Sequence, residues 1–272
     1  MPAAFIGHGS PMNALESNRY TNAWRNFGRD IPRPSAVLVI SAHWYVNVTA
    51  VTAMAQPRTI HDFFGFPAEL LATNYPAPGS PDLAAEVAEL SKPVYVDLDP
   101  DSWGLDHGAW SVLAHVLPEA DVPVVQLSIN AGRTFYDHFE LGIRLAPLRE
   151  RGVLILGSGN VVHNLRAIDW AAPGIGSDWA HRFNESIKSV VTETPERILG
   201  APNHPDFATA VPTADHFIPL LYIAGLAYAT GHPLSPLIDG YEMGSLSMTS
   251  YTLDTAALVR ETPEGAANRL KR

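Results

Sequence analysis

Short apolar runs that are rich in β-branched residues alternate along the chain with longer segments of helical character. The clearest runs, which predict strands, lie at 36–42, 94–97, 122–128 and 153–157, with weaker candidates at 2–6 and 245–250. The stretches between them predict helices at 20–28, 81–90, 108–116, 134–149, 178–191 and 215–228. Strands that alternate with helices are typical of α/β domains, and the pattern therefore predicts the α/β class.

The length of the chain allows either one large α/β domain or two small ones. The chain has 272 residues, of which 46% are hydrophobic, so it can bury a sizeable core. We find no internal repeat and no low-complexity linker that would separate two units. We therefore predict one domain over residues 1–260, followed by a polar C-terminal tail at 261–272 that frays.

Charge and cysteine content exclude several kinds of partner and cofactor. The net charge is −10, which argues against nucleic acid or an anionic membrane as a partner. The chain has no cysteine, which excludes disulfides, a thiolate nucleophile, iron–sulfur clusters and cysteine-bound zinc. A metal ion would therefore need nitrogen and oxygen ligands. Because the sequence shows neither signal-peptide character nor a membrane-spanning apolar stretch, we expect a cytoplasmic location.

Five of the eleven histidines share a setting of glycine, small or apolar neighbours at a predicted strand end, loop or helix start. They are His8, His43, His107, His163 and His216. Three of them follow predicted strands, at 2–6, 36–42 and 153–157, and ligands of open α/β sheets gather beyond the carboxyl ends of strands. Imidazole is a good ligand for iron(II) and zinc(II), so the set indicates a metal site with acid–base help.

Other catalytic patterns find little support in the sequence. There is no GxSxG elbow, and the GSGN segment at 157–160 fits neither a dinucleotide-binding nor a Walker A loop. The remaining histidines occupy ordinary settings, and we interpret them as surface or core residues. The aromatic stretch HDFFGFP at 61–67 lies in a long loop and fits either core packing or a flap over a flat ring.

The same segments resemble one known family from end to end. The sequence is similar to the class III extradiol ring-cleavage dioxygenases (LigB-like), in particular to the bacterial branch related to DOPA 4,5-dioxygenase. The resemblance covers roughly residues 4–255, and the matching segments occur in the expected order. They are GHGSP, SAHW, HDFFGFP, YPAPGSP, GLDHGAW, PVVQLSI, GSGNVVHNL, PTADHFIPLLY and GSLSMTSY.

The resemblance implies a single domain with a mostly parallel central sheet flanked by helices, and one non-haem iron(II). It implies that His8 and His43 are metal ligands and that His216 is the third, where the protocatechuate-cleaving branch has a glutamate. Asp215 is an alternative ligand, or it caps the following helix and orients the imidazole. We favour His216, because neighbouring side chains at a helix start do not both face one ion. Three neutral histidines also suit zinc(II), with His163 as a fourth ligand before substrate binds.

The resemblance also implies the reaction and the roles of the remaining histidines. A catechol and O2 would react to give a muconic semialdehyde-type product, with His163 as the acid–base catalyst. His107 would hydrogen-bond the substrate or the bound oxygen, and Asp106 would position its loop. Two rivals remain from the residues alone, a zinc-dependent hydrolase that uses the same histidines and a metal-binding protein without catalysis. The sequence does not predict the oligomeric state.

Overall fold

Most of the predicted strands lie side by side in one sheet of the computed structural model, which describes residues 1–255. The predicted tail at 261–272 lies outside these residues. The ten strands of the described part are β1 Ala3–Gly7, β2 Ala36–Val46, β3 Ala50–Thr52, β4 Asp97–Asp99, β5 Val124–Asn130, β6 Val153–Gly159, β7 Ser235–Ile238, β8 Tyr241–Glu242, β9 Leu246–Ser247 and β10 Ser250–Leu253.

Nine α-helices occur in residues 1–255, and we number them in chain order. They are α1 Arg19–Asp30, α2 Ala68–Leu71, α3 Pro81–Leu90, α4 His107–Val116, α5 Phe135–Leu145, α6 Pro147–Glu150, α7 Asp178–Glu193, α8 Phe207–Ala210 and α9 Ile218–Thr230. Short 3₁₀ helices occupy Pro11–Ala14, Leu165–Ala167 and Pro195–Asn203. None of the helices in this described part combines the length and apolar content needed to cross a lipid bilayer.

The central sheet has the strand order β4-β3-β5-β2-β6-β1-β10-β7. Its middle is parallel, because β5, β2, β6 and β1 pair with one another in the same direction. Antiparallel pairing occurs towards the edges, where β10 joins β1 and β3 joins β5. The chain thus forms a single α/β domain around a mostly parallel sheet, and the predicted fold class is confirmed.

The continuous apolar character of the central strands follows from burial on both faces of the sheet. Successive side chains of β2 point to opposite faces, so Leu38 and Ile40 join one core and Val37 and Val39 the other. Side chains of α5, α7 and α9 complete the first core, and side chains of α1 and α4 complete the second. The helices cover the two faces of the sheet, so the loops that follow the parallel strands lie at its carboxyl edge.

Several predicted boundaries were wrong, for reasons of local chemistry. The helix predicted at 134–149 divides into α5 and α6 at Pro147, which has no backbone N–H to continue the hydrogen-bond ladder. The strand predicted at 94–97 shifts to β4, where pairing with β3 fixes the register, and the segment predicted as one strand at 245–250 contains β9 and the first residue of β10. The strands β3 and β7 were missed, since both are short and their apolar signal is weak.

Candidate metal centre

The carboxyl ends of β2, β6 and β1 are neighbours in the sheet, and three predicted site residues lie at these ends. His8 directly follows β1, His43 lies in the last part of β2, and His163 lies four residues beyond Gly159, the last residue of β6. The backbone N–H of His8 donates to the carbonyl of Gly159 at 3.1 Å, which fixes the turn after β1 against β6. Parallel pairing thus brings together residues that are far apart in the sequence.

A bulge in β2 sets the direction of His43. The strand pairs Ile40 with Leu127 of β5, but it pairs Tyr45 with Ile129, so extra residues of β2 leave the ladder between these pairs. A bulge of this kind re-aims the side chains that it contains. The sequence predicts that the strand ends before His43, whereas the structure continues β2 past the bulge to Val46.

His216 reaches the centre through the chain segment that precedes α9. Its carbonyl accepts a hydrogen bond from Asn160 N–H at 2.9 Å, so this segment packs directly on the end of β6. The contact requires a glycine at position 159, because a Cβ added there would lie 2.2 Å from the carbonyl oxygen of His216. The close approach of two backbones therefore holds the imidazole in place.

We expect Gly159→Ala to displace His216 and to weaken metal binding by at least about 10-fold, the lower end of the effect of disturbing a ligand's support. The measurement is a metal titration of the folded variant, with its thermal unfolding recorded in parallel. Gly200→Ala is the matched control, because Gly200 is exposed and a Cβ there would meet nothing within 4 Å. Unchanged metal affinity in Gly159→Ala would show that this contact does not support His216.

All five predicted histidines come together at this edge of the sheet. The Nε2 atoms of His8 and His43 are 3.2 Å apart. Side-chain nitrogens of His8, His43 and His107 all lie within 4.8 Å of one another. The His216 ring centre lies 5.3 Å from that of His8 and 5.1 Å from that of His43. His163 stacks on His216 with ring centres 3.4 Å apart.

Hydrogen bonds fix the tautomer of His8. Its Nδ1 lies 3.0 Å from the hydroxyl oxygen of Ser158, and that hydroxyl donates its proton to the carbonyl of Gly108. Since the hydroxyl has one proton, its oxygen must accept from Nδ1–H of His8. The Nε2 atom of His8 consequently carries a free lone pair directed towards the other imidazoles.

Carboxylates fix the same tautomer in three further histidines. Asp62 accepts from Nδ1 of His107 at 2.9 Å through one oxygen, and its other oxygen lies 3.2 Å from Nδ1 of His43. Asp215 accepts from Nδ1 of His216 at 2.9 Å. Each of these imidazoles therefore has its Nε2 lone pair available, as metal-binding histidines do when their other nitrogen is hydrogen-bonded.

Burial sets the charge of these groups. It lowers the pKa of His8 and of His43 well below the ordinary value, and repulsion between the imidazoles adds to the effect. Burial, followed by repulsion from His216, lowers the pKa of His163 to about 2. Burial alone would raise the pKa of Asp62, but the hydrogen bond from His107 and the nearby imidazoles bring it to about 2. These imidazoles are therefore neutral at neutral pH, and the carboxylate is charged.

The donor set fits a divalent metal ion that favours nitrogen ligands. Two nitrogens that each bind one ion at about 2.1 Å lie roughly 3 Å apart when they occupy adjacent coordination positions. The 3.2 Å distance between Nε2 of His8 and Nε2 of His43 matches this separation. Two unprotonated nitrogens at 3.2 Å repel each other unless a cation lies between them. The residues present thus suit iron(II) or zinc(II).

Two aspartates next to the histidines have different roles. Asp106 caps α4 by accepting from Ala109 N–H, and it also accepts from the Ser41 hydroxyl at 2.7 Å, so it does position its loop. Asp215 does not cap α9, whose N-cap residue is Phe217, and the capping alternative was wrong. The side chain of Asp215 is instead used by His216, because the imidazole is a closer partner than the helix start.

The aromatic stretch 61–67 was predicted either to pack in the core or to form a flap over a flat ring, and its phenylalanines differ in this respect. Phe63 is buried against His107 and Trp110, with ring centres 5.4 and 6.3 Å away, and it belongs to the core. Phe64 is 95% exposed, next to Gly65 with φ of +79°. One ring of the stretch therefore packs inwards, and the next one faces the solvent.

Sequence reasoning missed the two residues that orient the imidazoles on either side of the centre, Asp62 and Ser158. Asp62 follows an ordinary histidine inside an aromatic stretch, and Ser158 lies inside an apolar strand. The only sequence signal was their presence within the segments HDFFGFP and GSGNVVHNL, which carry the family resemblance. Nothing in their spacing indicates that they reach histidines 19 to 150 positions away.

Comparison with known proteins gives the relationship. Residues 2–254 match the family described as the catalytic LigB subunit of aromatic ring-opening dioxygenase. The chain is 48% identical over 254 residues to the 4,5-DOPA dioxygenase extradiol of Escherichia coli (strain K12), which covers 92% of this chain and 93% of that protein. It is 36% identical to the 4,5-DOPA dioxygenase extradiol of Beta vulgaris, with 91% and 94% covered.

A solved structure agrees with these sequence relatives. The crystal structure of an uncharacterized protein from Escherichia coli K12 matches with a TM-score of 0.82 and 43% identity, over 93% of this chain and 99% of that one. The resemblance inferred from the motifs is thereby confirmed. This chain belongs to the LigB family of aromatic ring-opening dioxygenases and is an enzyme of its extradiol class.

Proposed function

We propose that this enzyme uses iron(II) and O2 to open the ring of a catechol at the bond beside the diol. The observation that supports the proposal most strongly is the 3.2 Å approach of His8 Nε2 and His43 Nε2, both of which present lone pairs. Two unprotonated nitrogens gain nothing from such a contact by themselves, whereas a metal ion bound by both would account for it.

His8, His43 and His216 would hold the ion, and His163 would be a fourth ligand before substrate binds. Iron(II) held by these residues would supply a common binding place for the diol and O2 and a route for charge between them. Zinc(II) favours the same donors, and we expect it to compete for the site. His107 is the alternative third ligand, because its nitrogen lies within 4.8 Å of those of His8 and His43.

His163 would take a proton from a catechol hydroxyl and return it later. The residue is partly exposed and stacked on His216, so it stands at the edge of the centre, where a substrate hydroxyl can reach it. His107 would accept a hydrogen bond from the substrate through Nε2, because Asp62 occupies its Nδ1. These roles divide the five histidines between metal binding and proton transfer.

The names of the relatives support a DOPA-like substrate. The relatives from Escherichia coli and Beta vulgaris, which align with most of this chain, are named 4,5-DOPA dioxygenase extradiol. A catechol with a DOPA-like side chain is therefore the substrate that we propose, and the product would be a muconic semialdehyde. The cytoplasmic location stays a prediction.

Oxygen uptake tests the proposal. The metal-free protein is loaded with iron(II) under argon, mixed with DOPA or another catechol, and exposed to O2. We expect O2 consumption and a ring-opened product, and the same protein loaded with zinc(II) should consume none. If the iron-loaded protein consumes no O2 with any catechol, while the zinc-loaded protein hydrolyses an ester or amide, the zinc-hydrolase alternative is correct.

A further inference from the structure

The candidate metal centre contains no carboxylate among its expected ligands, but two carboxylates lie directly behind it. A site of two histidines and one carboxylate carries a negative charge on a ligand. Here His8, His43 and His216 are all nitrogen donors, whereas Asp62 and Asp215 contact the Nδ1 atoms of His43 and His216. The negative charge therefore lies on residues that contact the expected ligands and not on a ligand itself.

Both carboxylate oxygens of Asp62 contact histidines. One oxygen accepts from both Nδ1 and the backbone N–H of His107, at 2.9 and 3.0 Å, and the other faces Nδ1 of His43. Its side chain is only 17% exposed. Both oxygens are therefore committed to the histidine cluster, and the residue ties the 61–67 stretch to the end of β2 and the start of α4.

Histidines are the charge partners of both aspartates. Within residues 1–255, the ion-pair partners of Asp62 and Asp215 are imidazoles, and neither carboxylate pairs with a lysine or arginine. Two partly buried carboxylates thus face only imidazoles in the described part of the chain, and a divalent cation bound by those imidazoles would supply the opposite charge.

We propose that Asp62 and Asp215 are positioning residues that supply, through His43 and His216, the negative charge that a ligand carboxylate would give the metal. This inference rests on the proposed function. A carboxylate that accepts from Nδ1–H makes Nε2 a stronger donor. Extra negative charge stabilises iron(III) more than iron(II), so the pair lowers the reduction potential and favours electron donation to O2.

The test uses Asp62→Asn and Asp215→Asn, which keep the size of each side chain and remove its charge. For each variant, the iron(II) dissociation constant is measured anaerobically by competition with a chelator, and the iron reduction potential is measured by titration. We expect iron(II) to bind about 10- to 100-fold more weakly in each variant. We also expect each potential to move upwards, because the carboxylate no longer stabilises iron(III).

Two comparison variants separate charge from other effects. Ser158→Ala removes a neutral partner from Nδ1 of His8, so it should weaken binding and leave the potential near that of the wild type. Asp206→Asn removes a carboxylate that pairs with Arg182 instead of an imidazole of the cluster, and it should change neither quantity. Should Asp62→Asn not fold, Asp215→Asn alone decides the test, because it lies on a separate segment of the chain.

The outcomes separate this inference from the proposed function. If the wild-type protein does not bind iron(II), the proposed function fails. If the wild-type protein binds iron(II), but the folded Asn variants keep its affinity and potential, the charge role of the two carboxylates is wrong. A rise in potential that Ser158→Ala produces equally would also overturn it, because hydrogen bonding rather than charge would then be the cause.

Discussion

Replacement of His8 or His43 by alanine is expected to abolish stoichiometric loading with iron(II). The Nε2 atoms of the two residues are 3.2 Å apart, and both would donate a lone pair to the same ion. Loss of a direct ligand should weaken binding by more than the roughly 10- to 100-fold that loss of an outer partner costs. The measurement is the metal content of the folded variant after anaerobic loading and desalting, by mass spectrometry of the elements.

His232→Ala is the matched control for these variants. His232 is exposed, and its Nδ1 pairs with Asp254 far from the parallel strand ends that carry the cluster. Its loss should leave metal content unchanged. Full metal content in His8→Ala or His43→Ala would remove that residue from the ligand set and leave the 3.2 Å contact without its explanation.

Replacement of His163 is expected to separate metal binding from turnover. Phenylalanine at this position keeps a flat ring against His216 but removes both nitrogens, whereas alanine removes the ring as well. We expect His163→Phe to retain iron(II) and to lose about 10²- to 10⁴-fold in kcat, the usual contribution of a general acid–base group. The measurement is O2 uptake at saturating catechol, with metal content determined on the same sample.

The two His163 variants give different information about the residue. If His163→Ala loses metal while His163→Phe keeps it, the stacking contact supports His216 independently of proton transfer. A near-normal kcat in His163→Phe would exclude His163 as the acid–base group. Loss of metal in both variants would instead favour His163 as a permanent ligand.

The sequence was sufficient to predict the fold class and the convergence of the histidines. Continuous apolar runs such as 153–157 are buried on both faces of the sheet, and this property identifies central parallel strands without any knowledge of their partners. Because such strands end at one edge, His8, His43 and His163 could be expected there together. Neither step required the register of the sheet.

The rest of the site depends on contacts that local sequence does not encode. The direction of His43 follows from a bulge that exists only because β2 pairs with β5. The role of Asp62 follows from a loop that folds over α4 and reaches two histidines on other elements. The capping prediction for Asp215 failed for the same reason, since an imidazole took the side chain that a helix start would otherwise use.

The position of the ion is the most direct test of the site. Crystals of the substrate-free protein loaded anaerobically with iron(II) should give one anomalous peak at the iron edge, bound by Nε2 of His8, His43 and His216, with His163 as the fourth ligand. Asp62 and Asp215 should remain on the Nδ1 atoms. A peak elsewhere, or a ligand set in which His107 replaces His216, would contradict the proposed metal centre.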